Sequence, residues 1–418
     1  VRITHLSDTY LPLLGGIEAQ VSRLARQQAA AGHDVEVITT TPAAPGAHGV
    51  STAVEKGVTV HRIAARVPGG WPVHPRSTAH VTARLREAIT RGERPDVVHL
   101  HMGVLAPTAQ AALRPVTRLG LPAVLTVHSV WGGAWRVFAA ADAGLGWSRW
   151  PVRWSAVSEL TAAPLRRLLT PDGASPRGGS DGAGLGGATV APRPRDPMVG
   201  AGREDVAILP NGLDLDAWRV PRTERGARPE GSAVHVVSAA RFAPRKRMLA
   251  LLTAAADAAA RLPDGALFVT LAGDGPERAA ARRFVAERGL RDVVSLPGRL
   301  TATELKRLYA RADVFAAPAV AEAFGLAALE AQAAGLTVVT RSGSGVAERV
   351  VDGATGLVVP DDDALASAFI RLATDPALLD DLLERAATPP AGVAWPEVLA
   401  ATEQAYEEAA ALTSAGRA

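Results

Sequence analysis

The sequence predicts an α/β protein built from two Rossmann-like, doubly wound parallel-sheet domains that face each other across a cleft. Three observations carry that expectation. The chain has 418 residues, more than one hydrophobic core normally fills at about 150 residues per domain. Short apolar, β-branched runs alternate with amphipathic stretches, which is the rhythm of βαβ units and hence of parallel sheets. That rhythm breaks once, at the polar stretch Pro221 to Gly231, and then restarts.

The runs before the break are Val1 to Leu6, Val35 to Thr39, Val97 to Leu100, Val124 to Val127 and Ile208 to Leu209. After it come Val234 to Ser238, Leu267 to Ala272, Val293 to Leu296, Val314 to Ala317, Thr337 to Val339 and Leu357 to Val359. The expected units are a first domain over 1–212, a second over 213–394 and a terminal helix within 395–418, whose helical spacing runs from Trp395 to Leu412. Residues 171–203 are rich in Gly, Pro and Ser without a period, and read as a disordered insertion that cannot bury enough apolar surface to offset its ordering entropy. Within it Gly178 to Gly182 matches a hydrolase nucleophile elbow in spacing, but lacks the strand before and helix after that such an elbow needs.

Composition narrows the function classes. Hydrophobic residues at 48% and charged ones at 21% describe a globular chain. Forty-five basic against 42 acidic side chains leave a net +3, too little for a nucleic-acid coat, so no nucleic-acid partner is expected. With no cysteine, disulfides, thiol nucleophiles and thiolate metal sites are excluded. Ser7-Asp8 follows the first apolar run directly, and nowhere do about 18 apolar residues run together. A cytoplasmic protein is the expectation.

Three loops could hold an anionic or polyhydroxyl ligand. After the first strand, Gly15-Gly16 precedes a helix whose apolar face is marked by Ile17, Val21 and Leu24; paired glycines let the backbone approach a ligand, and a helix N-terminus attracts anions. After Val234 to Ser238 comes Arg241-Phe242-Ala243-Pro244-Arg245-Lys246. There Arg241 offers a planar fork and Lys246 a compact charge, a pair suited to a diphosphate. After Val314 to Ala317 comes Glu322-Ala323-Phe324-Gly325-Leu326, with Glu330 further along the same helix. Carboxylates accept bonds from vicinal hydroxyls, while helix-start N–H groups suit phosphate.

Read together, Gly15-Gly16-Ile17-Glu18, Asp96 to His101, Thr126-Val127-His128, Ala156-Val157-Ser158-Glu159, Pro210 to Asp214, Arg241 with Lys246, Gly273 to Glu277 and Glu322 to Glu330 resemble the retaining glycosyltransferases of family 4. The resemblance covers most of the chain and implies the two-domain GT-B fold. It also implies a nucleotide-diphosphate sugar donor, GDP- or UDP-linked, with no metal and no other cofactor. By that resemblance Arg241, Lys246, Glu322 and His128 are the catalytic group, and Gly15, Gly16, Phe324, Gly325, Leu326 and Glu330 bind the donor, Glu330 through the ribose hydroxyls. The helix from Trp395 would lie back across the first domain. The implied reaction moves a hexose-type sugar to a hydroxyl acceptor, lipid-linked or a small polyol or glycoside. The alternatives are a sugar-nucleotide epimerase of the same fold and a non-catalytic sugar-nucleotide binder. The chain departs from the family in having Ala240 and Arg247 where glycine is common.

Three further features bear on metals and membranes. Asp361-Asp362-Asp363 reads as a helix start rather than a metal site. His99 and His101 read as a packed pair, without a third imidazole at ligand spacing. Five of the eight tryptophans, Trp131, Trp135, Trp147, Trp150 and Trp154, lie close together among arginines. They suit core packing, an acceptor-stacking pocket or peripheral contact with the inner face of a membrane.

Overall fold

The computed structural model describes residues 1–13, 15–65, 74–170, 205–220, 231–386 and 391–416. The expectations for 171–203, for the Gly178 to Gly182 match and for most of the polar stretch at 221–231 lie outside the described residues. In chain order the first half contains β1 (Arg2–Ser7), α1 (Gly16–Ala30), β2 (Asp34–Thr39), β3 (Gly49–Glu55), β4 (Val58–Ala64), α2 (Ser77–Thr90), β5 (Val97–Met102), α3 (Pro107–Arg118), β6 (Ala123–Val127), α4 (Trp135–Leu145), β7 (Val152–Ala156), α5 (Glu159–Leu169), β8 (Ala207–Ile208) and the single-turn α6 (Leu215–Trp218). The second contains β9 (Val234–Ala239), α7 (Met248–Ala259), β10 (Leu267–Ala272), α8 (Arg278–Glu287), β11 (Val294–Gly298), α9 (Ala302–Tyr309), β12 (Val314–Ala317), α10 (Leu326–Ala333), β13 (Thr337–Arg341), β14 (Gly356–Val359), α11 (Asp362–Thr374), α12 (Pro376–Ala386) and α13 (Trp395–Ala415).

These elements form two sheets, as the α/β reading requires. The first has strand order β3-β4-β2-β1-β5-β6-β7-β8 and the second β11-β10-β9-β12-β13-β14. Every pairing is parallel except β3 with β4. Central strands such as β5 and β6 are buried along their whole length, which is why they read as apolar runs in the sequence.

Three strands of the first sheet, β3, β4 and β7, have no counterpart in the sequence reading; β4, VTVHRIA, interleaves polar residues with its buried ones and so forms no continuous apolar run. The edge strand β3 is exposed over nearly its whole length, so it carries no apolar run. It is joined to β4 through Lys56 and Gly57, both at positive φ, the geometry of a tight two-residue hairpin. Strand β7, VRWSA, is wholly buried, but its arginine and tryptophan hid it. The Arg153 guanidinium pairs inside the fold with Glu408 of α13 and with Asp205.

The chain crosses from one sheet to the other near Gly212, where a Cβ would lie 2.5 Å from the Trp395 ring. It crosses back through α13, whose Ala405, Tyr406 and Ala409 join the core on the first sheet with Ile3, Val35 and Val97. A polar contact also spans the two lobes. Ser158 caps α5 through its side chain, and Glu348, from the second lobe, accepts bonds from the N–H groups of Glu159 at 2.9 Å and Leu160 at 2.6 Å.

Candidate functional site

Both sheets reverse their winding direction at one place, the first between β1 and β5 and the second between β9 and β12. Loops that leave the carboxyl ends of strands at such a point diverge and leave a crevice. The two crevices face each other around a cavity of about 540 Å³. Gly15, Gly16, His128 and Asn211 line it from one side, and Arg241, Lys246, Glu322, Phe324, Gly325 and Leu326 from the other.

The second lobe supplies the charge. Arg241 is exposed at the cavity wall, while Lys246 reaches the carboxylate of Glu322 and pairs with its Oε2. Helix α10 opens at Gly325, with φ 84° and no side chain capping it. Ala328 and Leu329 already donate to the Gly325 carbonyl, so the first-turn N–H groups left for an anion are those of Leu326 and Ala327. A Cβ on Gly325 would lie 2.1 Å from Val346 Cγ2, so the turn needs glycine both for its dihedral and for its clearance. Glu330 lies beyond the cavity lining, a turn further into α10. Burial raises its carboxyl to about 7, against a smaller opposing effect of Arg23.

Of the two departures from the family pattern, Arg247 keeps a glycine-like backbone. Arg247 holds φ 56°, the left-handed conformation that a glycine would adopt freely. Its guanidinium is fixed by Asp362, which also pairs with Arg341. Asp361 caps α11 by accepting a 2.9 Å bond from Ala364 N. The three acids are thus spent on a helix start and an ion-pair triad. Ala240 sits where its carbonyl nearly touches Gly273; a Cβ there would lie 1.9 Å from that oxygen. A second cavity of about 380 Å³ adjoins, sharing Arg241 and lined by Gly273, Asp274, Arg299 and Leu300 at the carboxyl ends of β10 and β11. Arg299 and Leu300 were not singled out from sequence, because nothing in their residue types marks a ligand. Their place after β11 is the only signal.

The first lobe supplies neutral polar groups together with the carboxylate of Glu18. His128 follows β6, with its Nε2 3.0 Å from Nδ1 of His101 and its Nδ1 buried without a partner. Burial lowers His128 to about 4, against a smaller opposing effect of the neighbouring Asn211 side chain. The expectation of a packed His99–His101 pair without a third imidazole is corrected. His5, on the neighbouring strand, stacks on His101 with ring centroids 5.2 Å apart and bonds to it at 2.9 Å. The pairing of β1 with β5 sets His5 opposite His99, a contact between residues far apart in sequence. His5, His99 and His101 lie close enough to share an ion, but all six of their ring nitrogens are already engaged with protein partners.

In the tryptophan-rich stretch, Trp131, Trp147 and Trp154 belong to the core under β5 and β6. Trp135 and Trp150 are partly buried against it. The exposed apolar groups there are Val137 and Leu145 on α4.

Two facing doubly wound lobes with the charge on one lip of the cleft define the GT-B architecture. Two family models divide the chain between them: Glycosyltransferase Family 4 matches residues 14–172 and Glycosyl transferases group 1 matches residues 224–388. The chain belongs to this glycosyltransferase family and is an enzyme of that class. It is 28% identical to a D-inositol 3-phosphate glycosyltransferase of Arthrobacter sp. (strain FB24), over 94% of this chain and 90% of that one. It is 29% identical to a glycogen synthase of Mycobacterium tuberculosis, over 97% and 94%. In structure it resembles Anabaena HepE in complex with UDP, with a TM-score of 0.65 at 16% identity over 97% of this chain and 99% of that one. A sucrose-phosphate synthase from Thermosynechococcus elongatus matches with a TM-score of 0.65 at 22% identity, over 97% and 98%.

Proposed function

We propose that the protein transfers a hexose-type sugar from a nucleotide-diphosphate sugar to a hydroxyl acceptor, with retention at the anomeric carbon and without a metal. The observation that carries the reading is the convergence, on one cavity, of Arg241, Lys246 and the uncapped start of α10. The donor diphosphate would lie against these three, its nucleoside running past Arg241 into the adjoining cavity beside Gly273 and Arg299. Glu322 would accept from the sugar hydroxyls and Glu330 from the ribose. The relatives' names supply inositol phosphate and glycogen chemistry as precedents for a hydroxyl acceptor.

The chemistry needs positive potential where negative charge accumulates. As the bond from the anomeric carbon to the phosphate oxygen breaks, both its electrons stay on the diphosphate, where the two cations and the helix N–H groups stabilise them. The acceptor oxygen bonds to the anomeric carbon from the same face, and its proton passes to the departing phosphate oxygen. This arrangement assigns to fixed cations the work that a divalent ion does elsewhere. A lipid-linked acceptor would bring a membrane against the exposed Val137 and Leu145 face of α4, which co-sedimentation with anionic vesicles tests.

Thermal unfolding with a panel of nucleotide sugars identifies the donor, since a ligand that prefers the folded state raises Tm. Incubation with that donor and an acceptor panel in EDTA, followed by NMR of the product anomer, then tests transfer, retention and metal independence. Isomerised donor in the absence of acceptor would point to an epimerase instead. An inverted product, or loss of activity in EDTA that added metal restores, would refute the corresponding part of the proposal.

A further inference from the structure

A continuous file of hydrogen-bonded side chains crosses the first sheet and ends at the cleft. It starts at the carbonyl of Leu125, which can only accept. Ser155 donates to it at 3.0 Å, so the hydroxyl of Thr126, 2.7 Å away, must donate to Ser155. Thr126 then takes its own bond from Nε2–H of His99 at 2.7 Å, which leaves Nδ1 of His99 bare to accept from the Tyr406 hydroxyl at 3.0 Å. Tyr406 in turn accepts from the amide nitrogen of Gln28 at 2.9 Å.

Gln28 is where the direction is transmitted. With its nitrogen committed to Tyr406, its oxygen faces Nε2 of His5 at 2.6 Å and requires a proton there. Nδ1 of His5 is then an acceptor for Nε2–H of His101 at 2.9 Å, and Nδ1 of His101 an acceptor for Nε2–H of His128 at 3.0 Å. Each neutral imidazole has one donor and one acceptor, so a single choice at one end propagates to the other. Burial lowers all four imidazoles, so none carries the second proton that would interrupt the sequence at neutral pH.

We propose that this file fixes His128 as the Nε2–H tautomer and so presents a bare Nδ1 to the cleft as a hydrogen-bond acceptor for a substrate hydroxyl, with Gln28 of α1 and Tyr406 of α13 acting as positioning residues. The proposal rests on the reading of the cleft as the site of sugar transfer. Among the described residues, two buried atoms of that cleft's lining residues have no hydrogen-bond partner, Nδ1 of His128 and Oδ1 of the adjacent Asn211, and a polyhydroxyl ligand supplies donors. The C-terminal helix therefore does more than cover the sheet, because its one phenol sets the polarity of a histidine three imidazoles away.

The test reads the tautomer directly. Two-bond proton–nitrogen correlation spectra of protein labelled at histidine nitrogens distinguish bare from protonated ring nitrogens, and His128→Asn assigns the signal. Nδ1 bare and Nε2 protonated at neutral pH is the expected result in the wild type. A protonated Nδ1, donated to Asn211 with the whole file reversed, would overturn the proposal. Tyr406→Phe, which keeps the ring but removes the link, should turn the His128 signal into a mixture; an unchanged spectrum would remove Tyr406 from the role. In turnover, Gln28→Leu should lower kcat about tenfold with the donor KM little changed, and Gln28→Glu, which keeps an acceptor for His5, should recover most of that loss. Equal losses in both variants would overturn the positioning role of Gln28. A protein inactive towards every donor yet showing the bare Nδ1 would refute the transfer reading and leave the tautomer standing.

Discussion

The two lobes share a winding pattern but not a core. Around β9, β10 and β12 the second lobe packs Val236, Leu251, Val269, Leu271 and their neighbours in a largely apolar interior, whose buried polar strand residues are the small Ser238, Thr270, Thr337 and Thr340, and places its charge on the loops. The first lobe buries His5, His99, His101, Thr126 and Ser155 in mid-sheet, and its described cleft lining holds His128, Asn211 and the Glu18 carboxylate but no cation. Buried polar groups are tolerated only when they are satisfied, and each of these five has a partner. The lesson is that one topology serves two demands. A diphosphate needs fixed charge on a stiff, greasy support, whereas hydroxyl recognition needs oriented donors and acceptors, which only a polar interior can orient from behind.

The largest expected effect breaks this division at its charged side. Lys246→Ala removes one of the two cations and leaves Glu322 unpaired, so kcat/KM should fall by about 10²- to 10³-fold, read from initial rates with the identified donor. Next comes the aliphatic core. Leu251→Ala leaves a cavity where the side chain is fully buried, and denaturant titration should show a loss of about 3 kcal/mol. In the polar core the same kind of titration on Tyr406→Phe should show about 1–2 kcal/mol, because Gln28 and His99 each lose a partner. If Tyr406→Phe costs more than Leu251→Ala, the contrast between the two interiors is reversed.

Two smaller effects sharpen the division. Glu322→Gln should lower kcat about tenfold while nucleotide affinity, measured by calorimetry, changes less than about threefold, if the carboxylate accepts from the sugar as proposed. Glu330 makes the weakest and most specific prediction. Its folded pKa of about 7 stands above the usual 4.5, so its neutral form favours the folded state below pH 4.5, and that contribution is lost as pH rises through 7. Ribose hydroxyls prefer the carboxylate, so nucleotide affinity should rise about threefold between pH 6 and pH 8. Glu330→Gln should flatten the profile, and a flat wild-type profile would take Glu330 away from the nucleotide.

Much of the architecture was legible because strands of a parallel sheet are buried on both faces and leave continuous apolar runs, as at Val314 to Ala317. The cleft residues were legible because the loops that carry them follow such runs directly, and Arg241, Lys246, Glu322 and His128 fall on one cavity. What stayed hidden shares one physical character. Strand β3 has no core face to advertise, and β7 spends its arginine on Asp205 and Glu408. The approach of His5 to His101, and of both to the orbit of Tyr406, depends on strand order and on a helix that returns from the far end of the chain. No local pattern encodes that.

The carboxylate of Glu348 has a mechanical meaning. It belongs to one lobe yet terminates a helix of the other, taking the Glu159 and Leu160 amide protons, while the adjacent Arg349 rests on the Phe324 ring at 4.3 Å. Any hinge movement that parts the lobes at this point must surrender both bonds to water and disturb the turn that precedes α10. This lobe contact and the start of α10 are linked through Arg349 and Phe324, so a change in the angle between the lobes would be felt at the proposed phosphate seat.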